Sequence, residues 1–378
     1  GYLVTFSAQK VKKVWKMMQK TIISRTLIGV LFSLMWLGLA LPSSSNPTAL
    51  NLISEIEGDI KLKRSQGNSY QKANIGDLLN PSDQLQLGAG ASATVMCDNL
   101  TFWRVPAVKV SLVSDGCGSN PSIIFRPNSL RSPSRAPNEE IPYIISPRNT
   151  ALLTNRPILR WNAVAGATRY RVRVQDAGLT LEWQMETSQT QIEYTGKPPL
   201  QTNSNYSVIV EIDTGDSSAE EQGTDLSFTL LDAQKAESVR IQVAKLKQQK
   251  LTQEVEGLAI AYLYQSYNLK AEAIELLEGL MKQGSQTTAA SQLLGDLYLQ
   301  VGLSQQAKSA YLQALELAKR TEDLEGQAEA QTGLGLGEYG LGKKTEAREW
   351  LTQAQTNYQK LGVQSKVEEV QQWLKDIQ

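Results

Sequence analysis

The sequence predicts a multidomain chain, β followed by all-α: a small antiparallel β domain, a β-sandwich and a C-terminal α-helical solenoid. Three observations carry that reading. Apolar and polar residues alternate in short runs as far as about residue 231, the period of half-buried strands. From Asp232 the alternation stops, no proline follows Pro199, and Ala, Leu, Gln, Glu and Lys take over, which favours helix. Within the helical stretch a block of small and aromatic residues recurs at fixed offsets, as stacked repeats do. At 378 residues the chain is long enough to bury several cores.

Residues 1–41 stand apart. They carry Lys10, Lys12, Lys13, Lys16, Lys20 and Arg25 and no acid. An uncharged, mostly apolar run extends from Thr26 to Leu41 and ends at Pro42. Basic flank, short apolar run and small-residue exit are the parts of a secretory signal, with Gly38-Leu39-Ala40 as the cleavage site. The run is shorter than the roughly 20 residues that span a bilayer as a helix. A cleaved signal peptide is therefore favoured over an N-terminal membrane anchor. In either case everything after residue 42 is exported, to the periplasm or cell envelope, attached to the inner membrane if the segment stays. Met17 and Met18 sit just ahead of the apolar run, and on one reading residues 1–16 are an upstream, non-native extension. The whole chain is neutral, with 38 basic and 38 acidic side chains, so the exported part is mildly acidic.

Residues 50–118 read as a small β domain. Ile56, Ile60 and Leu62 alternate with polar partners, as do Leu85 and Leu87, then Ala93, Val95 and Cys97, then Val108, Val110 and Leu112. Asp77 and Asp83 fit turn caps better than a catalytic pair. The order G-D-I-x-L-x-R at Gly58 to Arg64, A-x-x-G-D-x-L at Ala73 to Leu79 and D-x-L-x-L-G-x-x-A-x-A-x-V at Asp83 to Val95 resembles the FecR-like periplasmic domain. That resemblance implies a domain following a membrane segment and taking part in signalling or envelope sensing. FecR proteins proper carry a cytoplasmic anti-sigma segment, for which at most 25 residues ahead of the apolar run leave no room. The only thiols are Cys97 and Cys117. Two readings are open, a disulfide and two buried free thiols. Export, the lack of a charged neighbour and the absence of CxxC favour the bridge.

A Pro- and Ser-rich linker occupies 119–146, with Pro121, Pro127, Pro133, Pro137 and Pro142. Residues 147–231 follow as short strands at intervals of 8–15 residues. Charge is uneven: basic residues dominate 101–173 and acidic ones 174–231. A basic face could meet an anionic polymer or lipid. The better reading makes Arg169, Arg171 and Arg173 the solvated face of a strand, neutralised by the acidic half of the same domain. Trp161, Gly166-Ala167-x-x-Tyr170, and Leu200 six residues before Tyr206 resemble a fibronectin type III-like domain. The resemblance implies that Trp161 is core and that Tyr206 is the tyrosine corner.

Residues 232–378 hold the internal repeat. Leu294-Gly295-x-x-Tyr298, Gly302, Ala307, Tyr311 and Ala314 return as Leu334-Gly335, Gly342, Ala347, Leu351 and Ala354. A weaker earlier copy runs Ile260-Ala261-x-x-Tyr264, Asn268, Ala273, Leu277 and Leu280. Successive copies lie 34 and 40 residues apart, the extra six falling around Thr321–Gly326. The pattern resembles tetratricopeptide repeats. Small residues let paired helices approach, Tyr298 and Tyr311 fill the gap, and Gly302 or Asn268 permits the turn. Three hairpins stack, capped by a leading helix at about 232–250 and a last helix at Val363–Ile377. The resemblance implies a concave protein-binding face, with Tyr262, Gln265, Gln292, Asp296, Gln300, Gln331 and Glu338 as its candidate residues. Gly333, Gly335 and Gly337 lack the strand and the Lys-Ser/Thr of a phosphate loop and read as helix packing.

Function classes narrow accordingly. With no histidine there is no Ser-His-Asp triad, Cys-His pair or imidazole metal site. Carboxylate chemistry as in glycosidases lacks an acidic pair that stands out. No catalytic residue, metal or cofactor is expected, and the neutral total gives no signal for nucleic acid. The leading reading is an exported, non-enzymatic scaffold of the bacterial cell envelope that binds a protein partner through its helical repeats. The alternative is an envelope sensor that reads a ligand with the FecR-like domain.

Overall fold

A computed structural model describes residues 48–377, apart from 108–109, 120–123, 126–133, 179–180, 203 and 222–225. The basic and apolar segment expected to direct export lies outside the described residues. Among the described residues no helix is long and apolar enough to cross a membrane.

The alternating runs of the first β unit pair into short antiparallel strands. They are β1 (Thr48–Ala49), β2 (Asn51–Glu57), β3 (Ile60–Lys63), β4 (Gln71–Lys72), β5 (Leu78–Leu79), β6 (Gln84–Leu87), β7 (Ser92–Met96), β8 (Phe102–Arg104), β9 (Ser111–Leu112) and β10 (Ile124–Phe125). Two four-stranded sheets, β5-β2-β7-β8 and β4-β3-β6-β9, share a core of Ile53, Ile60, Leu62, Leu79, Leu85, Ala93, Val95 and Val113. A third pairing, β1 with β10, draws part of the expected linker back onto this unit. A five-residue helix, α1 (Val113–Cys117), brings Cys117 to Cys97, and the two form a disulfide. One expectation fails here. Val110 and Leu112 are exposed, whereas Ser111 and Val113 are buried. Position 111 pairs with Leu85 on the core side, and a one-residue offset inverts every side chain of a strand.

The second β unit starts at β11 (Ile144–Ser146), three residues ahead of the expected boundary, and continues as β12 (Thr150–Leu152), β13 (Ile158–Trp161), β14 (Tyr170–Asp176), β15 (Glu182–Thr187), β16 (Gln191–Glu193), β17 (Asn205–Ile212) and β18 (Phe228–Leu230). A three-stranded sheet, β11-β13-β16, and a five-stranded sheet, β12-β18-β17-β14-β15, enclose one core. Trp161, Tyr170, Val172, Val174, Tyr194 and Tyr206 are buried in it. Among the described residues the strand pairs are antiparallel except β12 with β18, where Thr202 adds an isolated parallel bridge to Leu230. The Tyr206 hydroxyl accepts from the Gln201 N–H at 2.7 Å, fixing the chain ahead of β17. Outward-facing Arg171 and Arg173 pair with Glu186 and Glu211 across the sheet, so the basic run is neutralised within this unit.

The remainder is helical: α2 (Ala233–Lys247), α3 (Gln253–Ser266), α4 (Lys270–Lys282), α5 (Thr288–Gln300), α6 (Ser304–Arg320), α7 (Leu324–Gly340), α8 (Lys344–Leu361) and α9 (Gln364–Asp376). Helices α3/α4, α5/α6 and α7/α8 are the three hairpins, with α2 and α9 at the ends. The side chain of Asp232 caps α2 and Thr252 caps α3. The six extra residues lengthen both α6 and α7 to 17 residues, against 13 in α4 and α5. Ala261, Ala273, Ala307, Ala347 and Ala354 have no exposed surface, and Tyr298 is buried in the same core against which Tyr264 packs. A Cβ on Gly295 would lie 2.7 Å from the Tyr311 ring, and one on Gly335 would lie 2.6 Å from Leu351. Gly302 and Gly342 turn with φ +78°, and Asn268 takes the same role at φ +61°.

The hairpins and the second β unit are joined by polar contacts. Arg160 donates to both oxygens of Glu278, at 2.9 and 3.1 Å, and the Tyr298 hydroxyl donates to the same carboxylate at 2.6 Å. The Ala151 N–H donates to the carbonyl of Asn268 at 2.9 Å, and buried Lys270 donates to the carbonyl of Asn149 at 2.7 Å. Leu153 N–H donates to Glu272 at 2.6 Å.

Candidate functional site

The first helices of the pairs, α3, α5 and α7, form one side of the solenoid, and the first β unit is seated against that side. Gly76, at φ +93°, approaches so closely that a Cβ there would lie 2.8 Å from Leu258 on α3 and 3.0 Å from Ala289 on α5. Leu50, Leu52 and Met96 of the β unit join the same apolar cluster as Leu258, Tyr262 and Leu293. Arg64 follows β3 and reaches the start of α7. Its Nε donates to Glu325 at 3.0 and 2.8 Å, and its Nη1 donates to Asp83 at 3.0 Å. Gln71 also donates to Glu325. Farther along, the Asn68 N–H and the Ser69 hydroxyl donate to the carbonyl of Leu361, and the Ser365 hydroxyl donates to Gln66 at 2.6 Å.

This junction is rich in carboxylates. The β unit brings Arg64, Asp77 and Asp83, and the solenoid brings Asp296, Asp323, Glu325, Glu329 and Lys366. Asp77 is pushed well above the ordinary carboxylate range, first by loss of water and then by Asp323, with Arg64 opposing. Glu329 is raised by loss of water and by Glu325. Loss of water raises Asp323, with Glu325 adding. Asp296 is raised to about 6 by burial, against the pull of the Tyr311 hydroxyl, which donates to it at 2.6 Å. Asp83 and Asp77 do cap their turns, accepting from Asn80 N–H and Asn74 N–H. Among the described residues no group of Cys, Asp and Glu side chains is arranged to hold a metal ion.

The residues expected to form the binding face divide into four sets. Tyr262 and Asp296 lie at the junction with the β unit, and the Tyr262 hydroxyl is pushed up by burial and by Asp296, with Asp77 adding. Gln265 and Gln292 are half-buried, and the side-chain oxygen of each accepts no hydrogen bond. Gln300 marks the joint with the second β unit, its carbonyl accepting from Asn149 at 3.1 Å. Gln331 and Glu338 do not belong to this face. Gln331 is buried between Gln353 and Asn357 of α8, and Glu338 is buried against Lys308 of α6 at 2.7 Å. Their positions along α7, at 100° per residue, turn them toward the neighbouring helices. The sequence reading missed Leu258, Ala289, Glu325 and Glu329. Their spacing held the signal: Leu258 lies four residues before Tyr262, and Glu325 four before Glu329.

Residues 286–360 match the tetratricopeptide repeat family. Those residues carry tetratricopeptide repeats, and the run of helices around them resembles a tetratricopeptide solenoid. Two solved structures are similar to part of the chain. One is BtubC (BKLC) from P. vanneervenii, 18% identical over 38% of this chain and 72% of that one, with a TM-score of 0.29. The other is a Q17M putative kinesin light chain of Podosopora anserina with nearly identical TPR-like repeats, 20% identical over 38% of this chain and 86% of that one, also at 0.29. No curated protein matches the chain. Tetratricopeptide repeats in general mediate protein–protein interaction, and proteins built on them are typically non-enzymatic scaffolds.

Proposed function

We propose that the chain is an exported, non-enzymatic interaction protein of the bacterial cell envelope that binds a protein partner through its tetratricopeptide solenoid. The observation that carries the reading is the stack of three repeat hairpins with two end helices. Export is supported by the basic and apolar segment before Pro42 and by the Cys97–Cys117 disulfide, a bond of oxidising compartments. The second β unit is read as fibronectin type III-like, supported by the Tyr206 hydroxyl on the Gln201 backbone and by Trp161 in the core. The first is read as FecR-like.

Deleting the solenoid is a poor test, because it would expose Leu50, Leu52 and Met96. The better test is affinity capture from an envelope extract with the exported chain and with Gln292→Arg. Loss of a specific partner by a variant of unchanged thermal unfolding supports the reading, and equal recovery refutes it. A second reading, a ligand sensor, is favoured by one observation. The first β unit rests on the first-helix side of the repeats, so a ligand that shifted it would be felt there. A response that requires residues 50–118 but not that contact counts against relay.

A further inference from the structure

The strand registers of the sheet β4-β3-β6-β9 show what its outer face carries. Ile60, Leu62 and Leu85 point into the core, so Lys61, Lys63, Gln84 and Gln86 alternate with them on the outside. Lys72 pairs with Lys61 on one flank, and Leu112 pairs with Gln84 on the other, where Val110 and Leu112 are exposed. Lysines, amides and apolar side chains thus follow one another across four strands, roughly 15 Å. Tyr70 lies over this face. Its hydroxyl donates to Gln84 at 3.0 Å and the Lys63 amine stands 5.9 Å from the ring centre, while the residue remains 38% exposed. The chain on either side of Tyr70 is pinned to the solenoid, Ser69 donating to the Leu361 carbonyl and Gln71 to Glu325. The ring is therefore set in place before anything binds.

The charge of the face is one-sided. The arginines of β14 are matched by Glu186 and Glu211, whereas among the described residues Lys61, Lys63 and Lys72 enter no ion pair. Two carboxylates border the face: Asp59, beyond Lys61 at one end, and Asp115, which accepts from the Leu112 N–H at 2.9 Å. We infer that this face binds an acidic polysaccharide. The lysines pair with its anionic groups, the Gln84 and Gln86 amides bond its hydroxyls, and Tyr70 and Leu112 lie against its sugar rings. Charge complementarity selects an anion. The amides and the fixed aromatic ring select one rich in hydroxyls, since a lipid headgroup or free phosphate would use the lysines alone. Tyr70 occupies the side-chain oxygen of Gln84, so the amide nitrogen is the group left to donate. The inference stands on the first β unit alone and does not depend on what the solenoid binds.

The test is isothermal titration calorimetry of the exported chain with an oligogalacturonate, a linear polyuronate, at about 0.1 M salt so that long-range attraction is screened. Neutral dextran of similar length and vesicles of equal parts phosphatidylglycerol and phosphatidylcholine are the comparison probes. Wild type is expected to bind the polyuronate and not dextran. Lys61→Gln with Lys72→Gln, and separately Tyr70→Leu, are expected to weaken binding by about fivefold or more at unchanged thermal unfolding. Lys245→Gln with Lys247→Gln, exposed lysines of α2, is the control and is expected to change it by less than about twofold. Four outcomes overturn the inference: no binding of the polyuronate, unchanged affinity in both face variants, equal weakening by the α2 control, which marks unspecific attraction, or tighter binding to the vesicles than to the polyuronate, which marks a lipid surface.

Discussion

Gly295→Ala tests how closely the repeat helices are packed. Gly295 lies inside α5 and faces Tyr311 of α6. An added Cβ would sit 2.7–2.8 Å from three ring atoms, and Gly333 of α7 leaves only 2.3 Å on the same ring. Tyr311 has no exposed surface and donates to Asp296 at 2.6 Å, so the ring is confined by two backbones and its own hydrogen bond. Replacing a mid-helix glycine by alanine favours the helix by about 1 kcal/mol. Overpacking costs about 1–3 kcal/mol, and losing the hydrogen bond to a carboxylate costs about 1.5–3 kcal/mol. If both losses are incurred, the net expectation is a loss of about 1.5–5 kcal/mol. Gly279→Ala is the matched control, since Gly279 lies in α4 with nothing within 4 Å of an added Cβ. It should gain about 0.5–1 kcal/mol from the same propensity term. Urea unfolding followed by far-ultraviolet circular dichroism reads both. A Gly295→Ala protein as stable as wild type, or no worse than Gly279→Ala, would refute the packing argument.

Other expectations are as direct. Replacing Cys97 and Cys117 by Ser opens a loop of 20 residues, and thermal unfolding should show a loss on the order of 3 kcal/mol, with no free thiol detectable in the native wild type. Tyr206→Phe removes the acceptor for Gln201 N–H at the edge of the second β unit, and calorimetry should register about 1 kcal/mol of destabilisation. Glu272 is pushed up to about 7 by burial, above its unfolded value, so its contribution is whole in acid and fades as pH rises through 7. Glu272→Gln should therefore match wild type at about pH 5 and exceed it by on the order of 1 kcal/mol at about pH 8, in denaturation curves at the two pH values.

The repeat was legible because its signal is local. The offsets from Gly295 to Gly302 to Ala307 fix helix, turn and return, and Asn268 could be recognised as a left-handed residue from its place in the earlier, weaker copy. Tyr206 and the arginines of β14 were readable for a similar reason, since their partners lie a few residues or one strand away. Strand β9 was not. Val108, Val110 and Leu112 alternate, yet Val113 is apolar too, and the register was decided by the pairing of Ser111 with Leu85. The junction was the least legible part. Nothing near Arg64 shows that its carboxylate partner is Glu325, 261 residues away, because that choice depends on which face of α7 meets the β unit. Gln331 and Glu338 were misplaced by the same ignorance of helix orientation.

The central claim is that the first β unit and the tetratricopeptide solenoid fold as one body joined on the first-helix side. A double-mutant cycle of Arg64→Met and Glu325→Gln, read by urea unfolding at neutral pH, tests it most directly. The half-buried, two-oxygen pair predicts a coupling of about 1 kcal/mol. Additive effects, with no coupling beyond error, would contradict the seating of the β unit on α7.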